Sequence, residues 1–146
     1  MAAIKKSDMI LAVLSAGGGI AFTPVKIQKL LFLIDKRIPE LVGGPYFNFE
    51  PYDYGPFDAT IYQDMEELSQ QGLVEIIQEP NLRWKKYRPT PEGFKAGFKI
   101  LESFGPKTAG CIQSLTDFVK KLSFAELVGA IYKAYPEMKV NSVFRG

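Results

Sequence analysis

Three carboxylates, Glu50, Asp53 and Asp58, fall close together in the chain, with Tyr52 and Tyr54 among them. A pair of carboxylates can act as general acid and base, or hold a magnesium ion. Carboxylates this close in sequence are also ordinary turn residues. Nothing else in the chain completes a catalytic set. There is no histidine, which removes the commonest general base and the commonest metal ligand. The single cysteine, Cys111, therefore has no histidine to pair with, and ordinary zinc sites and serine–histidine–aspartate triads are excluded. Cys111 lies early in an apolar helix and reads as a small core residue. Gly17 to Gly19 lacks the lysine and hydroxyl of a phosphate-binding loop and reads as a helix end. The expectation is a protein that is not an enzyme, with no catalytic residue, metal or cofactor.

A second cluster is basic and aromatic: Arg83, Trp84, Lys85, Lys86, Tyr87 and Arg88. Such interleaving can grip a nucleic-acid backbone and stack on bases, or simply solvate a hairpin that rests one face on the core. The helix before it, read over residues 57–71, carries Asp58, Asp64, Glu66 and Glu67 with no lysine or arginine, a formal charge of −4. In winged-helix folds that helix enters the major groove. Duplex DNA carries one phosphate charge per ~1.7 Å of axis, so an acidic insertion element is repelled. Gln63, Gln70 and Gln71 could read bases but lack flanking positive charge. Lys26, Lys29, Lys36 and Arg37 add a basic helix face. The resulting dipolar surface suits a protein partner or self-association better than duplex DNA.

The elements that must position these groups follow from local signals. Ser7 or Asp8 can cap a first helix running to Ala16. Thr23-Pro24 opens a second, apolar on most sides through Ile34, which reads as the central buried helix. Tyr46 to Tyr54 reads as an extended aromatic segment, with Pro51 at an edge, and Gly55-Pro56 as a turn. A third helix is expected from Phe57 to Gln71, burying Phe57, Ile61, Met65 and Leu68. Leu73–Gln78 and Trp84–Arg88 form a hairpin. Thr90-Pro91-Glu92 opens a fourth helix, with Phe94, Phe98 and Leu101 on one face. A fifth carries Ile112, Leu115, Phe118, Val119 and Leu122. Ser123 caps a sixth, with Leu127, Val128, Ile131 and Tyr135 facing inward. A loose tail is expected over 139–146.

The fold class is therefore α+β, mostly α-helical: winged-helix-like helices with a two-stranded β-hairpin, plus additional C-terminal helices, in one domain over 1–146. At 146 residues and 47% apolar content the chain can fill a core without a metal or disulfide. The net charge of +2 is too small to imply nucleic acid or membrane by itself. A single cysteine fits a reducing compartment, so a cytoplasmic location is expected. Met9 to Ala16, after Lys5 and Lys6, faintly resembles a signal peptide. Bulky Leu14 stands where cleavage needs a small residue, so the stretch reads as a helix. No apolar run approaches the ~20 residues that span a bilayer.

The segment Thr23-Pro24-Val25-Lys26-Ile27-Gln28-Lys29-Leu30-Leu31-Phe32 resembles the Lys-Leu-Gln-Lys-Leu-Leu opening of the Panacea domain, the SocA-like antitoxin family. Tyr54-Gly55-Pro56-Phe57 resembles its Tyr-Gly-Pro turn, and Gly72-Leu73-Val74 follows the matching helix. Thr90-Pro91-Glu92-Gly93 resembles its Thr-x-x-Gly, and Tyr135-Pro136 with Asn141-Ser142 fits its ending. The resemblance implies a bacterial or phage protein that binds and neutralises a toxin by protein contact. It carries over to Lys26, Gln28, Lys29, Tyr54, Gly55 and Pro56. With Tyr52 and Asp53 of the aromatic segment, these are the candidate partner-binding residues, and exposed aromatics there would be the anchors. The structural alternative is that Gly55 and Pro56 shape a turn, Lys26 and Lys29 solvate a helix, and Tyr54 plugs the core. The second partner class is nucleic acid, held by Arg83, Trp84, Lys85, Lys86 and Arg88 of the wing. A symmetric homodimer is the ordinary expectation for a small oligomer.

Overall fold

Residues 4–144 are described by a computed structural model of the chain. The helices are α1 (Lys6–Ala16), α2 (Pro24–Arg37), the single turn α3 (Pro39–Val42), α4 (Thr60–Gln70), α5 (Pro91–Ser103), α6 (Pro106–Lys121) and α7 (Phe124–Ala134). Two antiparallel hairpins interrupt them, β1 (Glu50–Tyr52) with β2 (Gly55–Phe57), and β3 (Val74–Ile77) with β4 (Lys86–Pro89). The class is α+β and mostly helical.

Two helices are buried on all sides. Every residue of α1 from Met9 to Ala16 is buried, and so is every residue of α2 from Ile27 to Asp35. The central position expected for α2 is observed. Its start is local chemistry: Thr23 Oγ1 accepts the backbone N–H of Lys26, and Pro24 supplies a preset φ in the first turn. At the start of α1 the roles differ from expectation. The helix begins at Lys6, and Asp8 reaches back to accept the N–H of Lys5 at 2.8 Å.

The packing of α1 on α5 explains a second difference. The buried residues of α5 are Gly93, Gly97 and Leu101, while Phe98 is exposed and stacks on Phe94 with ring centroids 5.6 Å apart. Hydrophobic spacing selects Phe94 and Phe98 for the core. The backbone of α1 comes so close that only glycine fits at the contact. A Cβ on Gly97 would lie 2.8 Å from the Leu11 carbonyl oxygen and would overlap Ser15 Oγ. Gly97→Ala is therefore expected to destabilise the fold by about 1–3 kcal/mol despite its better helix propensity, read as a lower urea midpoint. Phe118 of α6 is likewise exposed, whereas Ile112 and Val119 are buried.

The third long helix starts later than its apolar spacing suggests. Phe57 closes β2 opposite Glu50, and the helix begins at Thr60, keeping Ile61, Met65 and Leu68 buried. Asp58 thereby falls outside the helix. Arg83, Trp84 and Lys85 lie in the loop between β3 and β4 rather than in a strand. Phe22, between α1 and α2, pairs with Tyr87 of β4 through two backbone hydrogen bonds of 2.7 and 2.9 Å. Thr90 and Ser123 cap α5 and α7 as the sequence suggests.

The segment from residue 139, expected to be loose, turns back on the β1–β2 turn as far as Phe144. Val143 N–H donates to the Asp53 carbonyl oxygen at 2.8 Å, and Ser142 Oγ donates to the same oxygen at 3.2 Å. Residues 145–146 lie outside the described residues.

Candidate functional site

The aromatic segment before β1 has little regular structure, so its backbone N–H groups need other partners. Two carboxylates supply them. Asp35, in the last turn of α2, accepts the N–H groups of Tyr46 at 2.9 Å and Phe47 at 2.8 Å. Asp58 accepts the N–H groups of Asn48 and Thr60, each at 2.9 Å, and the Thr60 hydroxyl at 2.6 Å. Gln28 then clasps the backbone of Asp58. Its amide nitrogen donates to the Asp58 carbonyl and its amide oxygen accepts the Asp58 N–H, both at 2.9 Å. These three side chains fix where the β1–β2 hairpin sits against α2.

Burial pushes the Asp58 carboxyl up, but the bonds from Thr60 and Asn48 outweigh it and hold the group below its usual range. At Asp35 the balance reverses. Burial raises it, and the N–H groups of Tyr46 and Phe47 only partly oppose that. In the fold Asp58 acts as a hydrogen-bond acceptor for Asn48 and Thr60. Among the described residues no group of three or more acids or cysteines is placed to hold a metal ion.

Where the hairpin meets α2 and α4 it leaves a pocket of about 220 Å³. Seven of the eight candidate partner-binding residues line it: Gln28, Lys29, Tyr52, Asp53, Tyr54, Gly55 and Pro56. The exception is Lys26, whose ammonium donates to the Lys120 carbonyl at 2.9 Å and braces α2 against α6. Pro24, Val25, Phe57 and Tyr62 complete the walls. Tyr132 and the 140–144 segment clasp the turn from behind, through the Tyr132 hydroxyl to Ser142 Oγ at 2.6 Å.

Two of these residues differ from the structural alternative drawn from sequence. Lys29 does not solvate a helix face: it is 3% exposed, and burial lowers its pKa to about 8. Tyr54 does not plug the core. It is 43% exposed and sits edge-on to Phe124, itself 42% exposed, at 5.3 Å. Tyr52 is 54% exposed and stacks on Phe57 at 4.9 Å. Gly55 has φ +108°, a conformation that favours glycine.

The basic hairpin is largely neutralised by its own neighbours. Lys85 pairs with Glu66 of α4 at 3.7 Å, Lys86 with Glu79 at 3.9 Å, and Arg88 with Glu75 at 2.9 Å. Trp84 is exposed, and Arg83 has no ion-pair partner among the described residues. Such surface pairs add little stability, but they offset much of the positive charge that a phosphate backbone would meet.

Asp35 is the site residue that sequence reading missed. A lone acid ending the apolar run Leu30–Ile34 was the available signal, because a buried acid must find donors. No helix of the described residues is long and apolar enough to cross a membrane. No protein-family model matches the chain, and no curated protein matches it.

Proposed function

We propose that this chain is a protein-binding module of the toxin-neutralising kind that its likeness to the Panacea domain implies, working in a bacterial cytoplasm, bacterial or phage in origin. The partner docks on the face formed by the β1–β2 turn and the start of α7. The observation that carries this reading is the concentration of exposed aromatics there. Tyr52 and Tyr54 line a pocket with a buried lysine, Phe124 packs against Tyr54, and aromatic anchors beside a pocket are what binding hot spots are made of. No catalytic role is assigned to any residue.

The test uses tagged protein as bait in extracts of the source cells, with quantitative mass spectrometry. One protein should be enriched on the wild type and on Trp84→Ser, and reduced at least tenfold on Tyr52→Ser/Tyr54→Ser. Equal recovery on all three baits would remove this face from consideration.

Nucleic acid at the hairpin is the second reading, favoured by exposed Trp84 beside Arg83. The three internal ion pairs and the acidic α4 weigh against it. Binding to random duplex DNA at physiological salt is expected to be weaker than the roughly 10⁻⁴–10⁻⁶ M of ordinary non-specific binders. Micromolar binding with a steep salt slope in a fluorescence-anisotropy titration would reverse the order of the two readings.

A further inference from the structure

We propose that the pocket over Lys29 binds a carboxylate carried on a short apolar or aromatic stem, and that the partner presents this group. Only the second clause rests on the protein-binding reading. An ammonium has three donors and no acceptor, and burying it unpaired is costly. Lys29 is 3% exposed and makes no hydrogen bond or ion pair among the described residues, and its Nζ is not sealed off, so what remains of its hydration comes through the pocket. Burial alone accounts for its lowered pKa, with no compensating charge beside it.

The approach to Lys29 is kept open at Gly55. A Cβ there would stand 3.5 Å from Lys29 Nζ and 3.4 Å from Tyr132 Cε1, filling the space beside the ammonium. Neither the amide nor the carboxylate in the lining pairs with it. The Gln28 amide is engaged at both ends by the Asp58 backbone. Asp53, although in the lining, forms no ion pair with Lys29.

The remaining walls select the ligand. Pro24, Val25, Pro56 and Phe57 are apolar, and Tyr52 offers a ring at the mouth. A bare inorganic anion would leave those walls without contacts. The volume of about 220 Å³ falls below the roughly 300–1,000 Å³ of pockets for drug-sized ligands. That suits one side chain or one terminal residue. A carboxylate reaching Lys29 would complete a charge-assisted hydrogen bond, stronger than a neutral one and specific for the charged form.

The experiment is a ¹H–¹⁵N NMR titration of the full chain with 3-phenylpropanoate, its amide 3-phenylpropanamide, and inorganic phosphate. The acid should shift the amides of Lys29, Tyr54 and Gly55 and bind at least tenfold more tightly than the amide or phosphate. In Lys29→Met the preference for acid over amide should fall to within twofold. Equal binding of acid and amide to the wild type, shifts confined to the β3–β4 hairpin, or phosphate binding as tightly as the acid would each overturn the proposal. The wild-type comparison stands even where the variant fails to fold.

Two peptides distinguish the source of the carboxylate, one ending in phenylalanine with a free terminus and one amidated but carrying an internal glutamate. Whichever competes with 3-phenylpropanoate identifies a terminal or a side-chain carboxylate, and competition by neither would remove the partner's carboxylate from the proposal. Acid binding without any captured partner would sink the protein-binding reading alone. A partner recovered equally on wild type and Lys29→Met would sink the carboxylate alone.

Discussion

Lys29→Met should make the protein more stable while removing its ability to discriminate a carboxylate. The two effects have one cause. At 3% exposure the residue keeps little of its hydration, and no hydrogen bond or ion pair among the described residues replaces what the ammonium has lost. Its pKa falls from 10.5 to about 8, and at about 1.4 kcal/mol per pH unit the charged form is penalised by an amount on the order of 3 kcal/mol at neutral pH. Methionine fills a similar volume without charge. Unfolding in urea at pH 7 should show a gain of about 1–3 kcal/mol, and the melting temperature should rise by several degrees. Functional sites commonly carry such a stability deficit, because the group is arranged for a ligand rather than for the fold.

The pH dependence has a definite sign. The folded pKa lies below the unfolded one, so between about 8 and 10.5 the unfolded chain binds more protons than the folded chain. Stability therefore rises with pH across that window as the penalty is relieved. Below about 8 the penalty is fully present. The variant's advantage should accordingly shrink as pH is raised from 8 towards 10.5. Burial raises Tyr87 to about 12 and also raises Tyr62, but these groups titrate in both proteins, so the difference between them isolates Lys29. A variant less stable than wild type at pH 7 would mean that the ammonium already has a partner within the fold.

What was legible in the sequence was local. Thr23-Pro24, Thr90-Pro91 and Ser123 with Glu126 announce helix starts because capping acts within about four residues. The all-round apolar run of α2 announces burial. Standing four residues before Ile61, Phe57 fits a helical stripe by its spacing. Its actual place depends on pairing with Glu50, a contact that no helical period encodes. Spacing puts Phe94, Phe98 and Leu101 on one face of α5, but it cannot report how closely α1 approaches Gly97. The site shows the same division. Residues 52–56 are neighbours in sequence and are legible as a group. The burial of Lys29 is not, because a lysine on an apolar helix ordinarily extends its charge to water. Here the β1–β2 hairpin lies over it, with Gly55 beside its ammonium, in a position fixed by Asp35, Asp58 and Gln28.

Asp58→Ala should have the largest effect on the fold of any single change at this site. Both carboxylate oxygens are occupied by three donors, the N–H of Asn48, the N–H of Thr60 and the Thr60 hydroxyl. Alanine removes their shared acceptor at a part-buried place where Asn48 and Thr60 are exposed, so water replaces it in part and each lost bond costs about 0.5–1.5 kcal/mol. A total loss of about 2–4 kcal/mol is expected, with new proteolytic cleavage in 46–58 and loss of 3-phenylpropanoate binding, since the pocket wall over Lys29 hangs on this residue. Asp58→Asn keeps one acceptor oxygen and should fall between the two. Acid distinguishes the roles further. The Asp58 carboxyl lies below its ordinary 3.8, so its contribution is present above that value and is lost as pH falls through the folded value. Wild type should therefore lose stability below about pH 4 relative to Asp58→Asn. Asp35 is raised, so the folded chain holds its proton more tightly, and wild type should gain relative to Asp35→Asn as pH falls through that higher value. Opposite slopes in the two comparisons would establish that the same hairpin is held by one carboxylate suited to its charge and one that burial disfavours. Parallel slopes, or an Asp58→Ala protein with the wild-type urea midpoint, would show that the hairpin is positioned by something other than these carboxylates.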